Sequence, residues 1–111
     1  MVNNDLFDNS FFLSYSDAKE ITTDFMNKNL SNFALKEAEN YGMGFSLKYW
    51  KENTTIVLFS DRGDLSYRLL IDDNEIELYK FEPLLSNIEW FSSKNIMFLL
   101  TTIKRYLADN S

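Results

Sequence analysis

The hydrophobic pattern changes period twice along the chain. From Asp17 onward, apolar residues recur every three to four positions: Ala18, Ile21 and Phe25, then Leu30, Phe33, Ala34, Ala38 and Tyr41. That is the spacing of one face of a helix. Asp17 followed by Glu20 fits a capping box, Ser31 fits a second N-cap, and Gly42 stands where a helix favours its C′ glycine. The pattern predicts helix over residues 16–41, as one bent helix or two. Upstream, "SFFLSY" (Ser10 to Tyr15) reads as a short strand or as an aromatic arm.

From Gly44 to Phe81 the period becomes two. Three turn signals divide this region into four strands: "KEN" (Lys51 to Asn53), "DRGD" (Asp61 to Asp64) and "DN" (Asp73-Asn74). Connections this short require antiparallel neighbours. A Glu52-Asn53 loop pairs Tyr49 with Ile56 and Leu47 with Leu58. An Asp61 to Asp64 loop pairs Leu58 with Tyr67 and Ile56 with Leu69. An Asp73-Asn74 loop pairs Asp72 with Glu75, Ile71 with Ile76, Leu69 with Leu78 and Arg68 with Tyr79. All three turns send Phe45, Leu47, Tyr49, Ile56, Leu58, Tyr67, Leu69, Ile71, Ile76 and Leu78 to one face, and a one-residue slip would destroy that agreement. The opposite face receives Ser46, Lys48, Trp50, Thr55, Val57, Phe59, Ser66, Arg68, Leu70, Glu77, Tyr79 and Phe81. It is too apolar for an ordinary solvated face. Either a helix or the Phe11/Phe12 arm covers it, or it is a partner surface.

Helical spacing returns after the sheet. Pro83 suits a first helical position, with Leu84, Leu85, Ile88 and Phe91 as the apolar side. Ser92 or Ser93 caps a last helix whose stripe is Ile96, Leu99, Leu100, Ile103 and Leu107, and Lys104 and Arg105 complement its C-terminal dipole. The expected fold is α+β: N-terminal helices, a four-stranded antiparallel meander and two C-terminal helices, in a single domain over residues 1–111.

Composition narrows the chemistry. With 45% hydrophobic and 16% aromatic residues, the chain can build a core and does not resemble a disordered segment. Cysteine and histidine are both absent. Disulfides, thiolate nucleophiles, ordinary zinc sites and histidine-based catalytic arrangements go with them. No cofactor is expected. The net charge of −6 disfavours nucleic acid and favours a basic protein partner. No apolar run approaches the ~20 residues of a membrane-spanning helix, and "MVNNDLFDNS" lacks the features of a signal peptide. A cytoplasmic location is the default expectation.

The densest chemical signal is "LLIDDNEIELYKF" (Leu69 to Phe81), which places Asp72, Asp73, Glu75 and Glu77 within six positions. A calcium loop counted from Asp72 would need Gly sixth and Glu twelfth, but those positions hold Glu77 and Pro83. No metal site is expected. Asp and Asn also suit a plain solvated turn. As a docking site, the four carboxylates together with Asp61 and Asp64 would form an acidic flank. Trp50, Tyr79 and Phe81 would be the apolar anchors, with Arg68 held over Tyr79 by a cation–π contact. The Arg-Gly-Asp core of "DRGD" reads as a hairpin loop with Gly63 at positive φ. Nothing completes a catalytic site around Glu75 and Glu77, so no enzymatic activity is expected. The alternative is a small-ligand-binding or small enzymatic domain with an apolar pocket lined by Phe45, Tyr49 and Tyr67.

In its size, its acidity and acidic hairpins such as "IDDNEIEL", the whole chain resembles the immunity proteins of bacterial toxin–immunity pairs, as in contact-dependent growth inhibition and polymorphic-toxin systems. The resemblance is one of class, with no family motif. It implies tight binding to a cognate toxin domain, often a basic nuclease, by active-site occlusion or exosite capture.

Overall fold

The computed structural model describes residues 14–62, 64–87 and 92–110. The Phe11/Phe12 arm, Gly63, Ile88 and Phe91 lie outside them.

Helix α1 spans Tyr15–Asn29. Its N-cap is Ser14, whose hydroxyl accepts the Asp17 N–H at 3.1 Å, so the cap stands three residues before the expected Asp17. The helix ends at Asn29, and the remainder of the expected helical region is strand β1, Ala34–Tyr41. "ALKEAENY" is rich in helix formers, and tertiary pairing overrides that preference. Gly42-Met43 forms the turn, and β1 zips onto β2 (Gly44–Lys51) from Tyr41↔Gly44 to Ala34↔Trp50, with an irregularity between Leu35 and Glu37. None of the eight residues of β1 is buried, so its ladder holds it rather than apolar burial.

Strands β2, β3 (Thr54–Asp61) and β4 (Asp64–Ile71) follow the expected register. Tyr49 faces Ile56, Leu47 faces Leu58, Leu58 faces Tyr67 and Ile56 faces Leu69. The β3–β4 loop is shorter than expected, because Asp61 and Asp64 themselves pair. The fourth expected strand reduces to β5, Asn74–Glu75. Its turn is Asp72-Asp73, with φ 55° and 67°, one position earlier than the sequence suggested. Aspartate tolerates this left-handed conformation, which two-residue hairpins require. Glu75 therefore faces Leu70 rather than Asp72. Ile76 still reaches the core side, donating its N–H to Leu69 O at 2.8 Å. The chain then leaves the sheet for a short helix α2, Leu78–Phe81, and a 3₁₀ turn, Pro83–Asn87. Helix α3 spans Ser93–Asp109, capped by Ser92.

All pairings are antiparallel and the sheet order is β1-β2-β3-β4-β5. The fold is α+β, with α1 and α3 packed together on one sheet face. There Phe45, Leu47, Tyr49, Ile56, Leu58, Tyr67 and Leu69 are buried with Ala18, Phe25, Met26, Ile96, Leu100 and Ile103. One polar link crosses this layer. Thr22 Oγ1 donates to Ala18 O at 2.8 Å and, its only proton being used, accepts the Tyr67 hydroxyl at 2.8 Å. Burial pushes the Tyr67 phenol pKa upward, with Thr22 opposing the shift in part.

Candidate functional site: the outer sheet face and its β1 edge

The alternation that buries one face fixes the other. Four rows cross the outer face in register: Ala34–Trp50–Thr55–Leu70–Glu75, Glu37–Lys48–Val57–Arg68, Glu39–Ser46–Phe59–Ser66, and Tyr41–Gly44–Asp61–Asp64. Among the described residues no helix packs on this side. Val57, Phe59 and Leu70 are half-buried by their neighbours, while Trp50 is 45% and Tyr41 43% exposed. Tyr41 and Phe59 meet edge to face at 6.0 Å, and Lys36 lies 4.4 Å from the Trp50 ring centroid. Gly44 sits where its strand crosses Ser60 so closely that a Cβ would collide with the Ser60 carbonyl oxygen.

The expected site residues do not form one patch. Asp61 and Asp64 face each other at one end of the β3–β4 hairpin. Asp72 and Asp73 occupy the turn at the other end, with Asp72 eight residue steps beyond Asp64 along β4, or roughly 26 Å at strand rise. Asp72 is tied down: its carboxylate accepts Asn53 Nδ2 at 2.9 Å, and its N–H donates to Asn53 O at 2.9 Å. Glu75 pairs with Arg68 at 3.3 Å. Glu77 pairs with Lys80 at 2.7 Å and accepts the Tyr79 hydroxyl at 3.3 Å. The Lys80 hydrogen bond lowers the pKa of Glu77, and Glu77 raises that of Lys80.

Tyr79 and Phe81 belong to α2, not to the outer face, because the strand that was to carry them ends at Glu75. Phe81 packs against Tyr106 at 5.3 Å and under Arg105, whose guanidinium carbon lies 5.2 Å from its ring. Arg68, expected over Tyr79, binds Glu75 instead. Arg68, Glu75, Glu77, Tyr79, Phe81 and Tyr106 line an open groove of about 950 Å³. Of the residues expected to line an apolar pocket, Phe45, Tyr49 and Tyr67 are all buried in the core. Among the described residues no three acidic side chains converge as a metal site, and no helix is long and apolar enough to cross a membrane.

The sequence pattern missed β1. Leu35, at 52% exposure, Tyr41, Met43, at 49%, and Trp50 all lie on the β1–β2 hairpin. Glu39 accepts the Tyr41 hydroxyl at 2.9 Å, which raises the phenol pKa, and Glu37 meets Lys48 at 3.6 Å. The only hint in the sequence was a Gly-containing turn at residues 42–43 preceding a strand, which also suits a helix C-terminus.

Comparison with known proteins finds no matching family model, no matching curated protein and no matching solved structure.

Proposed function

We propose that this chain is a protein-binding module that captures a basic protein partner, and that it acts as an inhibitor of the immunity-protein kind, neutralising a cognate toxin domain in the cytoplasm by direct binding without catalysis of its own. The observation that supports this reading is the open outer face. A four-row sheet surface carrying Trp50, Tyr41, Phe59, Val57 and Leu70 has no described element over it, in a chain of net charge −6. Exposed apolar patches of this kind mark interaction surfaces, and complementary charge speeds the encounter.

The test is surface plasmon resonance of the folded chain against purified basic toxin domains. Trp50→Ala is expected to speed dissociation, with a cost of about 2 kcal/mol if Trp50 is an anchor. Tyr79→Ala serves as the second arm, because Tyr79 lies on α2 and reports on the groove instead. Absence of binding by the folded wild-type chain sinks the reading. A response at Tyr79 but not Trp50 moves the interface to the groove.

A further inference from the structure

Strand β1 is anomalous on three counts. It is an edge of the sheet, none of its residues is buried, and the hairpin it belongs to concentrates exposed apolar side chains. Its free backbone groups can be assigned. Met43 O accepts the Arg62 N–H at 2.8 Å, so odd-numbered β2 residues turn their backbone toward β3 and even-numbered ones toward β1. Glu37, Glu39 and Tyr41 pair with Lys48, Ser46 and Gly44, so their backbone groups face β2. Those of Ala38 and Asn40 face outward, where no described residue pairs with them.

We propose that this edge takes an extended segment of the basic partner as a sixth, antiparallel strand, with Lys or Arg side chains opposite Glu37 and Glu39 and apolar side chains opposite Ala38 and Asn40. The backbone supplies the pairing and alternate side chains supply the choice of partner, as in other strand-addition complexes. The charges also oppose a second copy of this chain in two of its three registers, the third, Asn40 against Asn40, setting Glu39 opposite Tyr41. The registers that would pair Ala38 with Ala38 or Asn40 of the copy set Glu37 against Glu39, or Glu39 against itself, and like charges opposite one another destabilise a sheet. The same carboxylates therefore repel self-pairing in those two registers and attract a basic strand. The Glu37–Lys48 pair is long and exposed, so it yields readily to a partner cation. On the other side of the strand, Leu35 and Ala38 are exposed to an apolar residue of the incoming segment.

This inference rests on the basic-partner reading above, and its test separates the two. The probe is a capped peptide, Thr-Lys-Val-Lys-Val-Lys-Thr, titrated into the full chain while amide exchange is followed by NMR. Two control peptides accompany it: one with Glu for Lys, and one N-methylated at both Val residues, whose amides would face β1. At saturation the Lys peptide is expected to slow exchange at the Ala38 and Asn40 amides at least tenfold, with neither control doing so. Glu37→Lys combined with Glu39→Lys is expected to weaken binding about tenfold, the product of two cross-strand charge pairs. Equal binding by either control overturns the inference. So does protection that grows with protein concentration in the absence of peptide, which would assign the edge to a second copy. Shifts confined to Val57, Phe59 and Leu70 overturn it as well but leave the outer-face reading standing. No binding of the peptide overturns the inference alone, because the outer-face reading is tested with the whole partner.

Discussion

The Thr22–Tyr67 link makes a prediction whose sign, not only its size, can fail. It joins α1 to β4 through the middle of the core, and both residues are buried. Tyr67→Phe removes the hydroxyl but leaves no donor stranded, since Thr22 keeps its bond to Ala18 O. The expected cost is about 1 kcal/mol, the net value of one hydrogen bond. Thr22→Val is worse. It deletes the acceptor and strands the Tyr67 O–H in the interior, at about 2–3 kcal/mol. Adding Tyr67→Phe to the Thr22→Val background then removes the stranded donor, so the second substitution restores stability. Guanidinium unfolding of the four proteins closes this cycle. If the double variant is less stable than Thr22→Val alone, the hydroxyl pairing is not what the two side chains contribute. Alkaline pH provides an independent check. The folded-state pKa of Tyr67 lies above its ordinary value of 10.0, so the fold holds a proton that the unfolded chain releases. The associated stability is complete below pH 10 and falls as pH rises toward the folded value, at a limiting slope of about 1.4 kcal/mol per pH unit. Tyr67→Phe should flatten that decline, leaving the smaller contributions of Tyr49, whose pKa burial also raises, and of Tyr41 and Lys80, raised by Glu39 and Glu77.

Three further outcomes are expected, each read as a shift in the unfolding midpoint. Gly44→Ala drives a methyl group into the Ser60 carbonyl, with loss of about 2 kcal/mol or more and disturbed β2–β3 amides in the NMR spectrum. Ser60→Ala removes a buried hydroxyl that has no hydrogen-bond partner among the described residues, so it is expected to be neutral or to stabilise by up to about 1 kcal/mol; a marked loss would mean that the hydroxyl is satisfied in solution. Asp72→Lys breaks the Asn53 contact at a position with φ 55° and is expected to destabilise by about 1 kcal/mol, whereas unchanged stability would show that the turn tolerates the loss.

The central sheet was legible because three independent features agreed. Turn signals at Glu52-Asn53 and Asp61 to Asp64, and the convergence of Leu47, Tyr49, Ile56, Leu58, Tyr67 and Leu69 on one face, allow one register, and the structure has it. Both ends of the sheet were misread, for different reasons. β1 carries no alternation because neither of its faces is buried, so the only signal left was the helix preference of Ala, Leu, Lys and Glu. β5 was extended too far because "EIELYKF" alternates, whereas the chain leaves the sheet after Glu75 and buries Leu78 from the short helix α2. The site suffered accordingly. Glu75 was expected to face Asp72 and instead faces Leu70 and binds Arg68, and Tyr79 and Phe81 were expected on the outer sheet face and lie on α2. α3 was legible in its cap, Ser92, and in its stripe of Ile96, Leu100 and Ile103, which answer to local rules and to burial at once, but it runs on to Asp109, so Lys104 and Arg105 fall short of its last turn and bind Asn29 and Glu82 instead.

Separating the acidic hairpins by the length of β4 changes how they can act. At physiological salt, exposed charges are screened over about 8 Å. Asp61 with Asp64 and Asp72 with Asp73, roughly 26 Å apart, therefore attract a cationic partner independently rather than as one flank. Replacing each pair by Asn tests this without disturbing the turns, since Asn accepts the positive φ of Asp72 and Asp73 as readily as Asp and is isosteric at the strand ends Asp61 and Asp64. Each double replacement is expected to slow association with the basic partner and reduce its salt dependence, and the two effects on the logarithm of the association rate should add. Dissociation should be nearly unchanged, because rim charges steer more than they hold. A combined effect far larger than the sum would mean that both ends contact one partner surface at once, and that the two hairpins cooperate after all. No change from either replacement would reduce all four aspartates to turn formers, and the selection of a basic partner would then rest on Glu37 and Glu39 at the edge of β1.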